Sequence, residues 1–225
     1  MEYAARTAAY PDLQGFLQRV FAWMFAGLLV TAVAAGLIGS SDTLLTDITE
    51  SPVLLIALFV VQLGLVIALS AAIDRISVPV ATALFFLYAA LNGVIFAFVF
   101  ELYTKQSIFT TFLIAAGMFG AMAAWGYVTK ADLSSLGSIL FMALIGLILA
   151  SVVNIFVASS ALYWITTYAG VAIFAGLTAY DMQKLKRYAE AGGDSGGAAV
   201  SGALALYLDF VNLFLFLLRI FGQRR

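Results

Sequence analysis

The sequence predicts an all-α membrane protein with seven transmembrane helices. Of its 225 residues, 64% are hydrophobic and only 10% are charged, a balance that soluble domains do not show. The apolar residues are gathered in runs of about 20, which is the length that crosses a bilayer as a helix. Because the connections between the runs are short, we predict a single seven-helix transmembrane domain over residues 1–225.

The predicted spans follow one another along the whole chain. The first run is too long for the apolar part of a typical signal peptide, so we expect it to remain as the first helix. A segment of residues 1–19 precedes it, and a hairpin tip of residues 184–197 joins the last two spans. The seven spans are Val20 to Gly39, Pro52 to Ile73, Val78 to Phe100, Ser107 to Val128, Leu136 to Val157, Leu162 to Gln183 and Ala198 to Phe221.

The distribution of Lys and Arg predicts a cytoplasmic N-terminus, because short cytoplasmic loops carry an excess of these residues. In this orientation residues 1–19 and the tip 184–197 are cytoplasmic, and the outer loops carry only Lys105. A seventh span leaves Arg219, Arg224 and Arg225 on the outer side, against the rule. We expect a multi-pass protein of the cell membrane, whose inner basic residues are Arg6, Arg19, Arg75, Lys130, Lys184, Lys186 and Arg187.

The residue types that are absent exclude several classes of function. The chain contains no cysteine and no histidine, so it lacks the thiolate and imidazole ligands that suit zinc or copper. Its net charge of −1 offers no basic surface to a nucleic acid. The remaining oxygen ligands suit hard cations such as Ca²⁺, and we expect no bound cofactor.

Two aspartates, Asp181 and Asp209, lie inside or at the margin of the last two spans. A charged side chain at the centre of a bilayer costs roughly 2.5–3.5 kcal/mol even on the more lenient insertion scale. An acidic residue kept at that depth indicates a functional role.

Counting along the chain places these two aspartates at the same depth. The glycine-rich stretch Gly192 to Gly197 should form the tip of a helical hairpin. Asp181 lies 11 residues before Gly192 and Asp209 lies 12 residues after Gly197, so each lies about 16–18 Å from the tip at about 1.5 Å of rise per residue. Two neighbouring carboxylates in a low dielectric cannot easily both ionise, so we expect them to share a proton and titrate in coupled steps. The pair is a candidate proton sensor and a candidate transient Ca²⁺ site.

Other polar residues at membrane depth are interpreted first as structural. Asn212 follows Asp209 by three residues on the same helix face, so it could hold the carboxylate or line the same cavity. We expect three further amides to hydrogen-bond neighbouring helices, namely Gln62, Asn92 and Asn154.

Arg75 has two interpretations that the sequence leaves open. It either pairs with the adjacent Asp74 or turns toward Asp181, since both belong to the cytoplasmic side and an ionised buried acid favours an arginine partner. A basic cluster near Asp181 is expected to anchor the inner interface by attracting anionic headgroups; it comprises Lys184, Lys186 and Arg187.

Small residues at four-residue spacing predict where helices approach closely, because backbone packing dominates helix association in lipid. On the fourth span the stripe is Ala116, Gly120 and Ala124. On the sixth it is Ala172 and Gly176.

Three stretches resemble a known family. The last two spans contain Ala179-Tyr180-Asp181-Met182-Gln183 and the run Leu204 to Phe214, followed by Leu217-Leu218-Arg219. The run Val20 to Leu28 is similar to the opening helix of bacterial members. On these residues the chain resembles the Bax inhibitor family, also called the transmembrane Bax inhibitor motif family.

The resemblance implies seven helices, the last of which is surrounded by two layers of three. It also implies a pH-dependent Ca²⁺ leak in which Asp181 and Asp209 match the proton-sensing pair. In the family, a basic residue near the inner end of the second helix forms an ion pair with the acid of the sixth, which acts as a latch between the two helices. Arg75 is the residue available for that latch here, although Asp74 precedes it.

Two other functions remain as alternatives to the channel. A regulator that binds other membrane proteins would use the two acids only to pin the hairpin. An intramembrane aspartyl protease would also need two aspartates that share a proton. In such proteases a Gly-x-Gly-Asp pattern holds one acid, and Leu206 and Leu208 replace both glycines here. We therefore expect a channel rather than an enzyme.

Overall fold

The computed structural model describes residues 13–72 and 76–225, apart from the side chains at 42, 47–49, 52, 55 and 70–72. This part of the chain forms eight α-helices: α1 (Leu13–Gly39), α2 (Asp42–Thr49), α3 (Pro52–Ala72), α4 (Val78–Leu102), α5 (Lys105–Val128), α6 (Ser134–Val157), α7 (Ser160–Glu190) and α8 (Gly196–Phe221).

Seven of these helices match the seven predicted spans, which confirms the all-α membrane class. Six helices are long and apolar enough to cross a bilayer, namely α1 and α4 to α8. The seventh, α3, contains the shorter apolar stretch Ile56–Leu69. The remaining helix, α2, was not predicted, because eight residues containing two acids do not form an apolar run.

Local capping chemistry sets several of the helix ends. The Thr104 hydroxyl accepts a hydrogen bond from the Ser107 N–H at the start of α5, and the Ser159 hydroxyl accepts one from the Leu162 N–H at the start of α7. Gly192 follows the end of α7 at φ +92, a conformation that glycine adopts without steric cost. The N–H groups of Gly192 and Gly193 then donate to the carbonyls of Ala189 and Tyr188, which terminates the helix by the usual glycine motif.

Two helices extend beyond their predicted apolar spans. Helix α1 begins at Leu13 rather than Val20, and α7 continues to Glu190 rather than ending at Gln183. Lys and Arg are good helix formers, so the polar residues after Gln183 extend the helix beyond the apolar run. The turn between α7 and α8 is therefore residues 191–195 and not the whole of 184–197.

The chain divides into two compact units, which we describe separately. The first contains the described residues up to Tyr103, together with Tyr188–Tyr207 and Arg225. The second contains Thr104–Arg187 and Leu208–Arg224. Helices α7 and α8 each contribute to both units. The prediction of one domain over 1–225 stays a prediction.

In the first unit, α1 and α4 pack closely around Tyr207. Gly27 lies directly against the Phe85 ring, and Gly93 lies against the α1 backbone at Thr31. Tyr207 is fully buried, and its hydroxyl is 2.6 Å from Thr31 Oγ1. This hydroxyl pair satisfies two polar groups that would otherwise be buried at a cost.

In the second unit, α7 packs against both α5 and α6 through glycines. Gly126 of α5 lies against the Ala179 backbone, and Gly137 of α6 lies against the Tyr180 ring. Helix α8 completes the unit by aromatic contacts. The Phe210 ring lies 5.5 Å from Phe119 in α5, centroid to centroid, in an edge-to-face arrangement.

The predicted small-residue stripes are largely wrong. Gly120, Ala124 and Ala172 are exposed, whereas Ala115 and Ala123 are buried. Small residues lie on more than one face of these helices, so their spacing alone does not identify the face that packs.

We predict that Gly126→Ala destabilises the second unit, because the new Cβ would overlap the Ala179 carbonyl and neither backbone can move aside freely. Overpacking of this kind typically costs about 1–3 kcal/mol. The matched control is Gly120→Ala, where a Cβ meets nothing within 4 Å and alanine improves helix propensity by up to about 1 kcal/mol. Thermal unfolding in detergent should show a lower midpoint for the first variant and an equal or higher midpoint for the second. Equal midpoints for the two variants would contradict the α5–α7 contact.

Candidate functional site

The two membrane aspartates come together within the second unit. Asp181 lies on α7 and Asp209 on α8, and their carboxyl groups are within hydrogen-bonding reach of each other. Asp209 is 3% exposed, and Asp181 is half-buried. The structure therefore places an acid pair at the position that counting along the chain predicts.

Asp209 lies in apolar surroundings. Its neighbours one turn away on α8, Leu206 and Leu213, are fully buried. Its Oδ2 atom is buried and finds no N–H or hydroxyl donor among the described residues. A carboxylate left without a donor in such a place is costly, which marks Asp209 as the strained member of the pair.

The turn of α7 that carries Asp181 is held on two sides. Ala179 contacts Gly126 of α5, and Tyr180 contacts Gly137 of α6. Because glycine brings the neighbouring backbone close, this turn has little room to rotate or slide. Asp181 is therefore fixed relative to α5 and α6.

The next residues of α7 hold the loop between α5 and α6. The Gln183 side chain accepts a hydrogen bond from the Leu133 N–H at 2.9 Å and donates one to the Ala131 carbonyl at 2.8 Å. The Lys186 Nζ donates to the Tyr127 carbonyl at 2.9 Å. Together these bonds tie the loop to the helix that carries Asp181.

An ion pair at the same loop joins Arg187 to Asp132, with 2.7 Å between Nη1 and Oδ1. The Ser134 N–H and hydroxyl also donate to Asp132. The Ser134 hydrogen bonds, together with Arg187, lower the pKa of Asp132 to about 2. A lowered pKa means that the stabilisation is present at neutral pH and is lost only as the pH falls through the acid range. Asp132 therefore stays ionised near neutrality and cannot supply a pH response there.

These loop contacts correct the interpretation of the basic cluster as an interfacial anchor alone. Lys186 and Arg187 bind the chain itself, while Lys184 is exposed. Gln183 makes the loop contact that the sequence analysis did not predict. The signal available was a polar side chain at the end of an apolar run, two residues after Asp181.

The structure describes Asn212 but not Arg75, the two residues predicted to lie beside the aspartates. The amide nitrogen of Asn212 uses one of its two N–H donors on the Leu208 carbonyl of its own helix at 2.8 Å, and its role beside Asp209 stays a prediction. Arg75 and Asp74 lie outside the described residues, and the latch stays a prediction. Among the described residues, Lys184 is the cation whose charge acts on Asp181.

The structural amides behave differently from the prediction in two cases. The Asn92 amide donates to the Tyr88 carbonyl of its own helix, and Asn154 accepts from the Ser159 N–H beyond the end of α6. Neither of these bonds joins a neighbouring transmembrane helix. The Gln62 Nε2 atom is buried without a partner in the described part of the chain.

The donor set for a cation at the pair consists of two carboxyl groups. Among the described residues there is no cluster of three acidic side chains that could hold a metal ion. Ca²⁺ takes about 6–8 oxygen ligands, so carbonyls or water would have to complete its shell at this place. Two carboxyl groups alone therefore do not form a closed Ca²⁺ site.

Comparison with known proteins decides the family. The family model described as "Inhibitor of apoptosis-promoting Bax1" matches residues 13–225. The chain belongs to the Bax inhibitor family. The resemblance found in the three sequence stretches is thereby confirmed.

Similar bacterial proteins match the Bax inhibitor chain over nearly its whole length. The inner membrane protein YbhL of Escherichia coli strain K12 is 50% identical over 218 residues, which cover 95% of this chain and 93% of YbhL. A protein of Borreliella burgdorferi strain B31 is 45% identical over 214 residues, covering 93% of this chain and 92% of its own. A protein of Deinococcus radiodurans strain R1 is 44% identical over 216 residues, covering 95% and 92%.

We predict that Gln183→Met releases the loop between α5 and α6, because the Leu133 N–H loses its acceptor. An unsatisfied buried polar group costs about 1–3 kcal/mol, so amide exchange at Leu133 should accelerate on the order of tenfold or more. The control is Lys184→Met on the exposed face of the same turn, which should leave that exchange rate unchanged. Hydrogen–deuterium exchange measures both variants, and unaltered protection in Gln183→Met would contradict the loop contact.

Proposed function

We propose that the protein is a pH-sensitive calcium leak channel gated by Asp181 and Asp209. The observation that supports this proposal is the direct contact between two acids of the last two transmembrane helices, one of them buried almost completely. Acids inside membrane segments commonly mark ion pathways or proton relays. The chain has no histidine, so a response near neutral pH has to come from acids in an unusual environment.

The gating mechanism follows from the charge of the pair. When both acids are ionised, two negative charges repel each other in an apolar interior, and a cation between them relieves the repulsion. When one proton is shared, the two carboxyl groups bond to each other and the attraction for a cation weakens. Proton and Ca²⁺ therefore compete for the same oxygens.

This competition can shift the balance between a closed and a conducting arrangement. Asp181 is fixed against α5 and α6 by Ala179 and Tyr180, whereas Asp209 belongs to α8, which contacts α5 through Phe210. A change in the bond between the acids therefore acts on the packing of α8 against its neighbours. A difference of a few kcal/mol between the two arrangements is enough to change the open fraction substantially.

We place the protein in the inner membrane with a cytoplasmic N-terminus. Its relative YbhL is named as an inner membrane protein, and the basic residues of the loops favour this orientation. The lipid bilayer, Ca²⁺ and protons are then its partners, with no cofactor and no enzymatic step. A regulator that binds another membrane protein is the alternative, and the flux measurement below separates the two.

We predict that Asp209→Asn abolishes the pH dependence of Ca²⁺ flux, because the amide cannot exchange a proton with Asp181. In liposomes containing the purified wild-type protein, the Ca²⁺ flux should change by about fivefold or more between mildly acidic and mildly alkaline buffer. The variant should give the same flux in both buffers.

The matched control is Asp132→Asn, the same chemical change at an exposed acid that stays ionised near neutrality. It should keep the wild-type pH response. A pH response that survives in Asp209→Asn would contradict the sensor. No Ca²⁺ flux from the pure wild-type protein at any pH would contradict the channel and favour the regulator.

A further inference from the structure

Arg219, near the end of α8, lies between two aromatic rings. Its guanidinium carbon is 4.9 Å from the centroid of the Phe216 ring and 5.6 Å from that of the Tyr163 ring. A guanidinium attracts the faces of aromatic rings. The two rings thus hold the plane of the group while its N–H donors remain at the edges.

The described part of the chain gives these N–H donors no acceptor. Among the described residues, Arg219 makes no hydrogen bond and no ion pair, whereas Arg19, Arg187 and Arg225 each pair with an acid. A planar fork of free donors matches an anion with two oxygens, such as a carboxylate or a phosphate. The ring contacts thus hold Arg219 in the position of an anion-binding group.

The same end of the second unit has the composition of a membrane interface. Trp164 is 42% exposed and Tyr168 is 58% exposed, and their rings stack 5.8 Å apart. Trp and Tyr are enriched at headgroup level, where one side of the ring meets lipid and the polar edge meets water. Arg219 is two residues from the end of α8, so it lies about 3 Å from that end, at headgroup level.

The charged residues that the second unit itself contributes to this end are all positive. Lys105 begins α5, and its neighbour Thr104 donates from its N–H to the Gln223 carbonyl beyond α8 at 2.9 Å. Lys105, Arg219 and Arg224 therefore belong to one end of the unit. The acids of the described second unit are Asp132, Asp181 and Asp209, and none of them lies at that end.

We propose that Arg219 binds the phosphodiester of an anionic glycerophospholipid, in the leaflet that meets the start of α7 and the end of α8. The headgroup region supplies a phosphate to every lipid-facing cation, and the guanidinium held between Phe216 and Tyr163 binds two of its oxygens. Trp164 and Tyr168 lie beside the lipid backbone. This site also accounts for an arginine at an end where the distribution rule predicts few basic residues.

The test measures how much lipid remains bound to the purified protein, by native mass spectrometry in a neutral detergent. The probes are phosphatidylglycerol and phosphatidylcholine with the same acyl chains. Wild-type protein should retain phosphatidylglycerol in preference to phosphatidylcholine. Arg219→Gln should lower phosphatidylglycerol retention about fivefold.

Two further variants and one competitor make the result specific. Arg224→Gln removes the same charge from an exposed arginine without ring contacts and should retain nearly wild-type lipid. Arg219→Lys keeps the charge but loses the planar fork, so it should bind less than wild type and more than Arg219→Gln. If the thermal unfolding midpoint shows that Arg219→Gln is not folded, lipid retention by Arg219→Lys is compared with that of wild type instead.

Inorganic phosphate should not displace the lipid, because it offers no acyl chains to the interface.

Three outcomes would overturn the site. The first is equal loss in Arg219→Gln and Arg224→Gln, which would mean that net charge alone attracts the lipid. The second is equal retention of the two lipids by wild-type protein. The third is displacement by inorganic phosphate, which would identify a site for a free anion.

Discussion

The proposed function depends above all on one contact, between the carboxyl groups of Asp181 and Asp209. Two acids close together repel each other when both are charged, and Asp209 is buried almost completely. In the proposed channel a proton or a cation between the oxygens relieves that repulsion. The proposal therefore couples the last two helices to the concentrations of those two ions.

The packing around the two aspartates links each of them to neighbouring helices. Glycines of α5 and α6 bring their helices against the turn of α7 that carries Asp181, and the following Gln183 holds the loop between α5 and α6. Asp209 belongs to another helix, which contacts α5 through aromatic rings rather than through backbone. The two acids are thus held by different kinds of contact, close backbone packing for Asp181 and side-chain packing for Asp209. The lipid site proposed at Arg219 lies on that same helix, α8, at its end.

Much of this arrangement was predictable, because helix geometry is regular. The fixed rise of a helix and the glycine-rich turn were sufficient to place the two aspartates at one depth, and the apolar runs were sufficient to find seven helices. The sequence could not show which small residues pack. Gly120 and Gly126 each follow an aromatic residue on α5, and only Gly126 lies against a neighbouring helix. It also could not show that Lys186 and Arg187 bind a loop, because long basic side chains reach headgroups or backbone equally well. Helix α2 was missed because amphipathic segments of one or two turns leave no apolar run.

The most direct measurement of the central claim is infrared difference spectroscopy of the carboxylic-acid C=O stretch, recorded while the pH of reconstituted protein is changed. If Asp181 and Asp209 share a proton, a protonated carboxylic-acid band should be present near neutral pH and should disappear over the pH range in which Ca²⁺ flux changes. Either Asp→Asn substitution within the pair should alter that band. A spectrum with no protonated carboxylic acid at any pH where the flux changes would contradict the account.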